Sequence, residues 1–185
     1  GLFVSLRDPA IYHEPGSAFD DDITRTAAEV RRVIASDASD RKAYVRRLNA
    51  AVHEGIAHYW ADEGADRYHL RVPVEENYLL WLASCLYPRV YRKYEFADYG
   101  RALERGVGLC SQHAIVVAGA LAERGIPARI VALDGHVVAM ALVDAARDEW
   151  WILDADYGVV LTESLDSVER DPDRVRPYYT AAGCA

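Results

Sequence analysis

Apolar residues in the first third of the chain recur every three or four positions, which is the spacing of amphipathic helices. We expect a first helix that is capped by Asp20–Asp22. Its apolar positions are Ile23, Ala27, Val30 and Ile34. A second helix is expected after Ser39 or Asp40, with Val45, Leu48, Val52, Ile56 and Tyr59 on one face.

The segment Tyr78–Tyr87 is apolar on nearly every side, and a third helix is predicted to begin just after Pro73 and to include it. A helix without a polar face is normally buried on most sides. We therefore expect Cys85, inside this segment, to be an unreactive core residue. Pro88 is expected to end the helix.

A short helix is predicted around Phe96–Glu104, and it stops at Gly106. A loop with two glycines then leads into a helix from Cys110 to Arg124. Gly125 and Pro127 are typical of a helix end.

After Pro127 the apolar pattern changes to short runs rich in Val, Ile, Leu and Trp, which predict β-strands. The predicted strands are Ala128–Leu133, His136–Val143, Trp150–Asp154 and Val159–Thr162. Helices followed by strands indicate an α+β fold with an antiparallel sheet. We expect one domain over residues 1–185, with an extended arm at 1–19 and a short helix and tail over 164–185.

Composition supports an ordinary globular domain: 185 residues, 51% of them hydrophobic, with a net charge of −8. The acidic balance argues against a nucleic-acid partner. The longest apolar run, Ala114–Ala122, is far shorter than the roughly 20 residues of a membrane span, and no secretory signal is visible. Three widely separated cysteines argue against a disulfide framework. A chain that begins at Gly1 suggests a fragment or a processed product.

Cys110 is the first candidate for chemistry because it begins a predicted helix directly after a glycine-containing loop. Unpaired N–H groups and the dipole at a helix start favour a thiolate. Beside an imidazolium, such a cysteine can have a pKa several units below that of a free thiol. The alternative is a small buried hydrophobe, which is the commoner role of a lone cysteine.

His136 and Asp154 complete the candidate group. A hairpin with its loop at Ala145–Glu149 brings the start of one strand beside the end of the next, so these residues should be neighbours within about two positions. Asp156 lies on the same side of a continuing strand. We favour Asp154 because it ends the ordered strand, and we expect Asp156 to cap the following turn. A thiol, an imidazole and a carboxylate are the components of acyl-transfer chemistry.

Residues 106–158 resemble the core of the transglutaminase-like superfamily. The resemblance is carried by Gly106-Val107-Gly108-Leu109-Cys110, Gly125-Ile126-Pro127-Ala128-Arg129, Gly135-His136 and Trp151-Ile152-Leu153-Asp154. It departs from the family pattern in three places. His136 is followed by Val137, where Ala-Trp is common, and Asp154 is followed by Ala155, where Pro is common. The spacing from Arg129 to His136 is also short. These departures leave the three candidate residues intact and bear on the substrate class.

The resemblance implies a papain-like α+β fold in which Cys110 is the nucleophile, His136 the base and Asp154 the residue that orients it. It implies cleavage or formation of an amide or isopeptide bond in a peptide or protein substrate through a thioester. Water or an amine is the acceptor. No cofactor is expected.

Other residues are candidates for an oxyanion hole or for a metal site. For the oxyanion we expect the Cys110 N–H and, as a second donor, Asn77, with Tyr99 behind it; Asn77 is equally suited to the first turn of its helix. A metal bound by Cys110, His113, His136 and Asp154 is not expected, because zinc sites normally recruit more Cys or more His. The other histidines, His53, His58 and His69, are expected at the surface.

Two rival interpretations remain open at this point. In the first interpretation, the domain is a non-catalytic binding or scaffold module that retains the fold. In the second, the activity belongs to a partner domain outside the chain. An intact set of Cys110, His136 and Asp154 favours an enzyme over the scaffold interpretation.

Overall fold

The computed structural model describes residues 23–58, 72–87 and 94–183. The predicted arm at 1–19, Tyr59, His69, Pro88 and Cys184 lie outside these ranges. The elements in chain order are α1 Ala27–Ile34, α2 Arg41–His53, β1 Ala57–His58, α3 Tyr78–Leu86, α4 Tyr99–Arg105, β2 Val107–Gly108, α5 Cys110–Glu123, β3 Ala128–Leu133, β4 His136–Asp144, β5 Glu149–Asp154, β6 Val159–Leu161, α6 Leu165–Arg170, a 3-10 turn Pro172–Val175 and α7 Arg176–Ala181.

The four predicted strands form one antiparallel sheet in the order β3-β4-β5-β6. The α+β class and the antiparallel sheet are therefore confirmed. A second, two-stranded sheet was not predicted: β1 pairs in parallel with β2, with Ala57 opposite Val107 and His58 opposite Gly108. This short pair joins the chain after α2 to the loop before Cys110, and its two-residue strands are too short to leave a sequence period.

The first helix begins later than predicted. Thr26 caps α1, its hydroxyl accepting a hydrogen bond from the Glu29 N–H while the Glu29 carboxylate accepts from the Thr26 N–H. This reciprocal pair satisfies two N–H groups at once, and it leaves Ile23 before the helix. Asp40 caps α2, as predicted. Because α2 ends at His53, Ile56 is buried beyond the helix rather than on its face.

The prediction that the third helix is buried is wrong. Tyr78 and Leu86 of α3 are each 66% exposed, Cys85 is exposed as well, and Ser84 is the one buried residue of this helix. Asn77 caps the helix through its side-chain oxygen, which accepts from the Leu80 N–H. Apolar composition selects the helix, but burial requires a neighbouring element, and the described residues provide little cover here.

The sheet has a hydrophobic core on each face. One core joins α1, α2 and α5 to the sheet, and its buried members include Leu48, Val117, Leu121, Ala139 and Leu153. The other core contains Val138, Met140, Ile152, Val159 and Leu161, and the partly buried Tyr178 and Tyr179 of α7 pack against it. Alternate residues of β4 thus point to opposite cores. The predicted C-terminal tail is a set of short helices that covers the second face.

Helices α4 and α5 approach closely at Gly119, where a Cβ atom would lie 2.6 Å from Cδ1 of Tyr99. We expect Gly119→Ala to destabilise the fold by about 1–3 kcal/mol, since the Tyr99 ring must shift. In a Tyr99→Ala background the same change should destabilise much less, because the ring is gone and only the Cβ of residue 99, 3.2 Å away, stays close, while alanine is the better helix former. Chemical denaturation of the four proteins measures both effects. An equal effect of Gly119→Ala in the two backgrounds would contradict the contact.

Candidate active site

The first turn of α5, which carries Cys110, is fixed by buried hydrogen bonds. The Gln112 side-chain oxygen accepts from the Phe96 N–H at 2.7 Å and from Arg105 Nη2 at 3.0 Å. Its amide nitrogen donates to the Phe96 carbonyl oxygen at 2.9 Å. Arg105 is itself buried and donates to the Val107 carbonyl oxygen at 2.8 Å. These contacts join the helix start to the segments on both sides of α4.

His113 anchors the same turn from the next face. Its Nδ1 lies 2.9 Å from the Leu109 carbonyl oxygen and its Nε2 lies 2.9 Å from the Ile56 carbonyl oxygen. Both ring nitrogens therefore face backbone acceptors. His113 consequently has a structural role and does not direct a free ring nitrogen at Cys110.

His136, at the start of β4, lies beside Asp154, at the end of β5, as the hairpin predicts. The His136 Nε2 and Asp154 Oδ2 atoms are 2.8 Å apart. The buried Asp154 carboxylate also accepts from the Tyr179 hydroxyl at 2.7 Å and from the Tyr157 N–H at 3.2 Å. The hydrogen bond to Asp154 raises the pKa of His136 above its ordinary value and outweighs the opposite effect of partial burial.

The prediction that Asp156 caps the turn is wrong. Asp154 accepts from the Tyr157 N–H, whereas the Asp156 side chain is buried and accepts from His58 through Oδ1. Asp156 Oδ2 lies 4.0 Å from Nδ1 of His136. Burial alone would raise the pKa of Asp156, but the His58 hydrogen bond, with the charges of His113, His58 and His136, outweighs burial and lowers it.

Cys110, His136 and Asp156 bring their donor atoms to within 4.8 Å of one another. Since His136 directs Nε2 at Asp154, the thiol and Asp156 face the other side of the imidazole. The structure therefore brings the three predicted residues Cys110, His136 and Asp154 together, and it adds a second carboxylate on the thiol side of the ring.

The electrostatics of the thiol differ from the expectation at a helix start. Burial raises the pKa of Cys110 above its ordinary value, and the negative charge of Asp156 adds to this effect. Backbone N–H groups of Val137 and Ser111 act in the opposite direction but do not outweigh them. The expected lowered pKa is thus wrong for this arrangement, because sequence spacing revealed neither the burial of the sulfur nor the carboxylate beside it.

The candidate oxyanion donors are the N–H groups at the start of α5, Tyr99 and Asn77, and the structure bears on each of them differently. Leu109 supplies no side-chain cap to α5, and its carbonyl oxygen accepts from the Gln112 N–H, so the N–H groups of Cys110 and Ser111 are the helix-start candidates. Tyr99 packs against Gly119 and hydrogen-bonds Glu123, which is 13 residues beyond Cys110 and so about 20 Å along the helix. Tyr99 is therefore wrong as a donor. The role of Asn77 stays a prediction; its side-chain oxygen is used in capping α3.

Sequence analysis missed three residues around the site. His58 is buried against Asp156 rather than at the surface. Tyr157 and Tyr179 stack edge-to-face with ring centroids 5.7 Å apart, and Tyr157 lies 5.5 Å from the His136 ring in the same way. The period-two spacing of Asp154 and Asp156 was the one available signal that both carboxylates face one side.

A cleft of about 570 Å³ opens beside His136. It lies between the turn after β5 and the C-terminal helices, and its lining residues are His136, Tyr157, Pro172, Val175, Arg176, Tyr179 and Thr180. The cleft therefore places aromatic and apolar walls, with one arginine, next to the imidazole.

Comparison of the chain with protein-family models, with curated proteins and with solved structures finds no match in any of the three. Among the helices of the described residues, none has the length and apolar character needed to cross a membrane.

Removing the charge of Asp156 should make the thiol easier to ionise. We expect Asp156→Asn to lower the pH at which Cys110 alkylation by iodoacetamide reaches half its maximal rate, because the carboxylate raises the pKa of that thiol. Mass spectrometry of the Cys110 peptide across a pH series, with a chelator present, measures this midpoint.

Cys85 provides an internal reference, since its exposed thiol lies on α3. Asp134→Asn, which removes an exposed carboxylate from the β3–β4 turn, is the matched control and should leave both midpoints in place. An unchanged or higher Cys110 midpoint in Asp156→Asn would refute the assigned electrostatics.

Proposed function

We propose that this domain is a cysteine-dependent hydrolase or acyltransferase of the transglutaminase-like, papain-like type, acting on amide or isopeptide bonds. The observation that carries the proposal is that the two nitrogens of the His136 ring face different groups. Nε2 of His136 is held by the buried Asp154 at 2.8 Å, which leaves Nδ1 for the thiol side of the ring. An oriented imidazole beside a cysteine at a helix start is the arrangement that nucleophilic acyl transfer requires.

In the first half of the reaction, Nδ1 of His136 accepts the thiol proton as Cys110 Sγ attacks the carbonyl carbon. The C–N bond of the tetrahedral adduct then breaks, and the imidazolium gives its proton to the departing amine. The products are a free amine and a thioester on Cys110.

In the second half, His136 removes a proton from water or from an amine, and the resulting nucleophile attacks the thioester. The C–S bond breaks, and the imidazolium returns its proton to the sulfur. The product is a carboxylic acid or a new amide, and the enzyme is regenerated. Asp154 stabilises the imidazolium in both halves through its hydrogen bond to Nε2.

The start of α5 supports the charge that develops on the carbonyl oxygen. Its first N–H groups lack intrahelical partners, and the positive end of the helix dipole lies at Cys110. Donors aimed at a developing oxyanion are usually a large part of acyl-transfer catalysis. We assign the Cys110 N–H as the first donor.

The cleft beside His136 supports a peptide or protein substrate. Its walls are aromatic and aliphatic, and the exposed Arg176, which is paired with Asp173, lies at the edge. Pockets of about 300–1,000 Å³ with mainly apolar walls and a few polar groups are typical of sites that bind organic ligands. The cleft has the size and lining to hold side chains that flank the scissile bond.

An activated acyl ester tests the proposal without knowledge of the natural substrate. With p-nitrophenyl acetate and a chelator, we expect a burst of nitrophenolate equal to the enzyme, an acetyl group on Cys110 by mass spectrometry, and repeated turnover. Cys110→Ser should abolish the burst, and His136→Ala should abolish turnover. Adding a primary amine separates the two reactions, because an acyltransferase then forms the amide.

The exposed thiol of Cys85 makes Cys85→Ser the matched control, and this variant should retain both burst and turnover. A burst that survives Cys110→Ser, or acetylation confined to Cys85, would contradict the proposal. Acetylation of Cys110 without turnover in the unaltered protein would favour the scaffold interpretation.

The two carboxylates should contribute unequally to turnover. We expect Asp154→Asn to lower turnover by about two to four powers of ten, because it loosens the ring and removes stabilisation of the imidazolium. The acidic limb of the pH profile should also move to lower pH in this variant, since the hydrogen bond to Asp154 raises the pKa of His136. Turnover of the ester across a pH series measures both effects.

Asp156→Asn is the comparison for this prediction, and it should cost much less turnover. Melting temperatures of both variants show whether a loss reflects unfolding. A greater loss of turnover in Asp156→Asn than in Asp154→Asn, at an unchanged melting temperature, would reverse the assignment of the two carboxylates.

A further inference from the structure

The acyl-transfer mechanism proposed above gives Asp156 no role, although burial of its carboxylate costs free energy. The side chain is 2% exposed, and Oδ2 has no hydrogen-bond partner among the described residues. A buried carboxylate oxygen without a partner is rare in proteins, because its desolvation is not repaid. This oxygen lies 4.0 Å from Nδ1 of His136.

Three different donors converge at this point. The thiol of Cys110, the ring nitrogen of His136 and the carboxylate of Asp156 lie within 4.8 Å of one another. In a tetrahedral zinc site, donors of these types are about 3.3–3.6 Å apart, given bond lengths of about 2.0–2.3 Å. A contraction of about 0.5 Å between His136 and Asp156, and of at most about 1.5 Å for the other pairs, would therefore bring them to coordination distance.

Neighbouring residues hydrogen-bond the atoms of His136 and Asp156 that do not face this cluster. His136 directs Nε2 at Asp154, and Asp156 receives the His58 ring at Oδ1. A metal-binding histidine commonly donates its second nitrogen to a carboxylate, which fixes the tautomer and leaves the first nitrogen free to bind. Here that arrangement leaves Nδ1 and Oδ2 free on the thiol side.

The geometry also separates this donor set from the one weighed in the sequence. His113 faces backbone carbonyl oxygens with both nitrogens, and Asp154 holds Nε2 of His136 on the far side of the ring. In this donor set the carboxylate comes from Asp156, whereas the set considered from the sequence used Asp154. The ion-facing residues are thus one sulfur, one nitrogen and one oxygen donor.

We propose that Cys110 Sγ, His136 Nδ1 and Asp156 Oδ2 bind one divalent ion of the zinc class, with water in the fourth position. Mixed sulfur, nitrogen and oxygen donors in a four-coordinate site suit zinc or cobalt, whereas calcium and magnesium take oxygen ligands. Cys110 releases its thiol proton to solvent on binding. His136 is 21% exposed, so the fourth position has access to solvent.

Binding removes both the nucleophile and the base from acyl transfer. The ion therefore acts as a reversible inhibitor of the acyl-transfer site; this consequence rests on the proposed function, whereas the binding itself does not. Zinc should also protect Cys110 from iodoacetamide, and a chelator should restore its labelling.

Cobalt(II) gives a direct readout, because a thiolate ligand produces a charge-transfer band and a tetrahedral site produces intense visible bands. We expect one Co²⁺ per chain, displaced by Zn²⁺. Cys110→Ser should abolish the charge-transfer band. His136→Ala and Asp156→Asn should each raise the dissociation constant at least about tenfold.

Cys85→Ser and Asp134→Asn are the matched controls, since each removes an exposed group of the same type, and both should bind cobalt as the unaltered protein does. If Asp156→Asn does not fold, as judged by circular dichroism, the partly exposed Cys110 and His136 still test the site. Absence of the band, its persistence in Cys110→Ser or its loss in Cys85→Ser would overturn the proposal.

The two proposals fail separately. Acetylation and turnover at Cys110 in chelator, combined with no cobalt binding, would overturn the metal site alone. Cobalt binding that requires Cys110 and His136, combined with no acetylation in chelator, would overturn acyl transfer and leave the metal site standing.

Discussion

The hydrogen bonds that fix the first turn of α5 are the constraint on which the candidate site depends. Gln112 bonds the Phe96 backbone and the buried Arg105, while His113 bonds the carbonyl oxygen of Ile56 before β1. A helix start is normally free to fray, since its first N–H groups lack partners. Here side chains from positions three and four of the helix tie it to two distant segments, so Cys110 has a defined place beside the sheet.

The imidazole of His136 lies between two carboxylates, Asp154 and Asp156, which act on different groups of the site. Asp154 holds Nε2 of His136 and raises its pKa, which favours the imidazolium that acyl transfer produces. Asp156 lies on the thiol side and disfavours the thiolate. In the proposed acyl transfer, Asp154 would assist proton uptake by His136, whereas Asp156 opposes ionisation of the Cys110 thiol. A cation bound by Asp156 and Cys110 would satisfy both negative groups, so one cluster suits either chemistry in turn.

The C-terminal helices belong to this arrangement. They cover the second face of the sheet, and Tyr179 reaches the Asp154 carboxylate from there while Tyr157 packs between Tyr179 and His136. The carboxylate that orients the base is therefore buried by residues beyond the 106–158 segment. The same helices form one wall of the cleft, which links the burial of Asp154 to the space available for a substrate.

Local patterns in the sequence determined the helix at Cys110, the four antiparallel strands that follow it and the meeting of His136 with Asp154. Each depends on a glycine, a proline or an alternating apolar run within about 20 residues. Tertiary structure decided the exposure of α3, the burial of His58, the role of Asp156 and the contact of Tyr179. These depend on which distant segment supplies the neighbouring surface, and the direction of the thiol's pKa shift depends first on how deeply the sulfur is buried and then on a nearby charge. Periodicity carries information about which side a residue faces, but not about what it meets there.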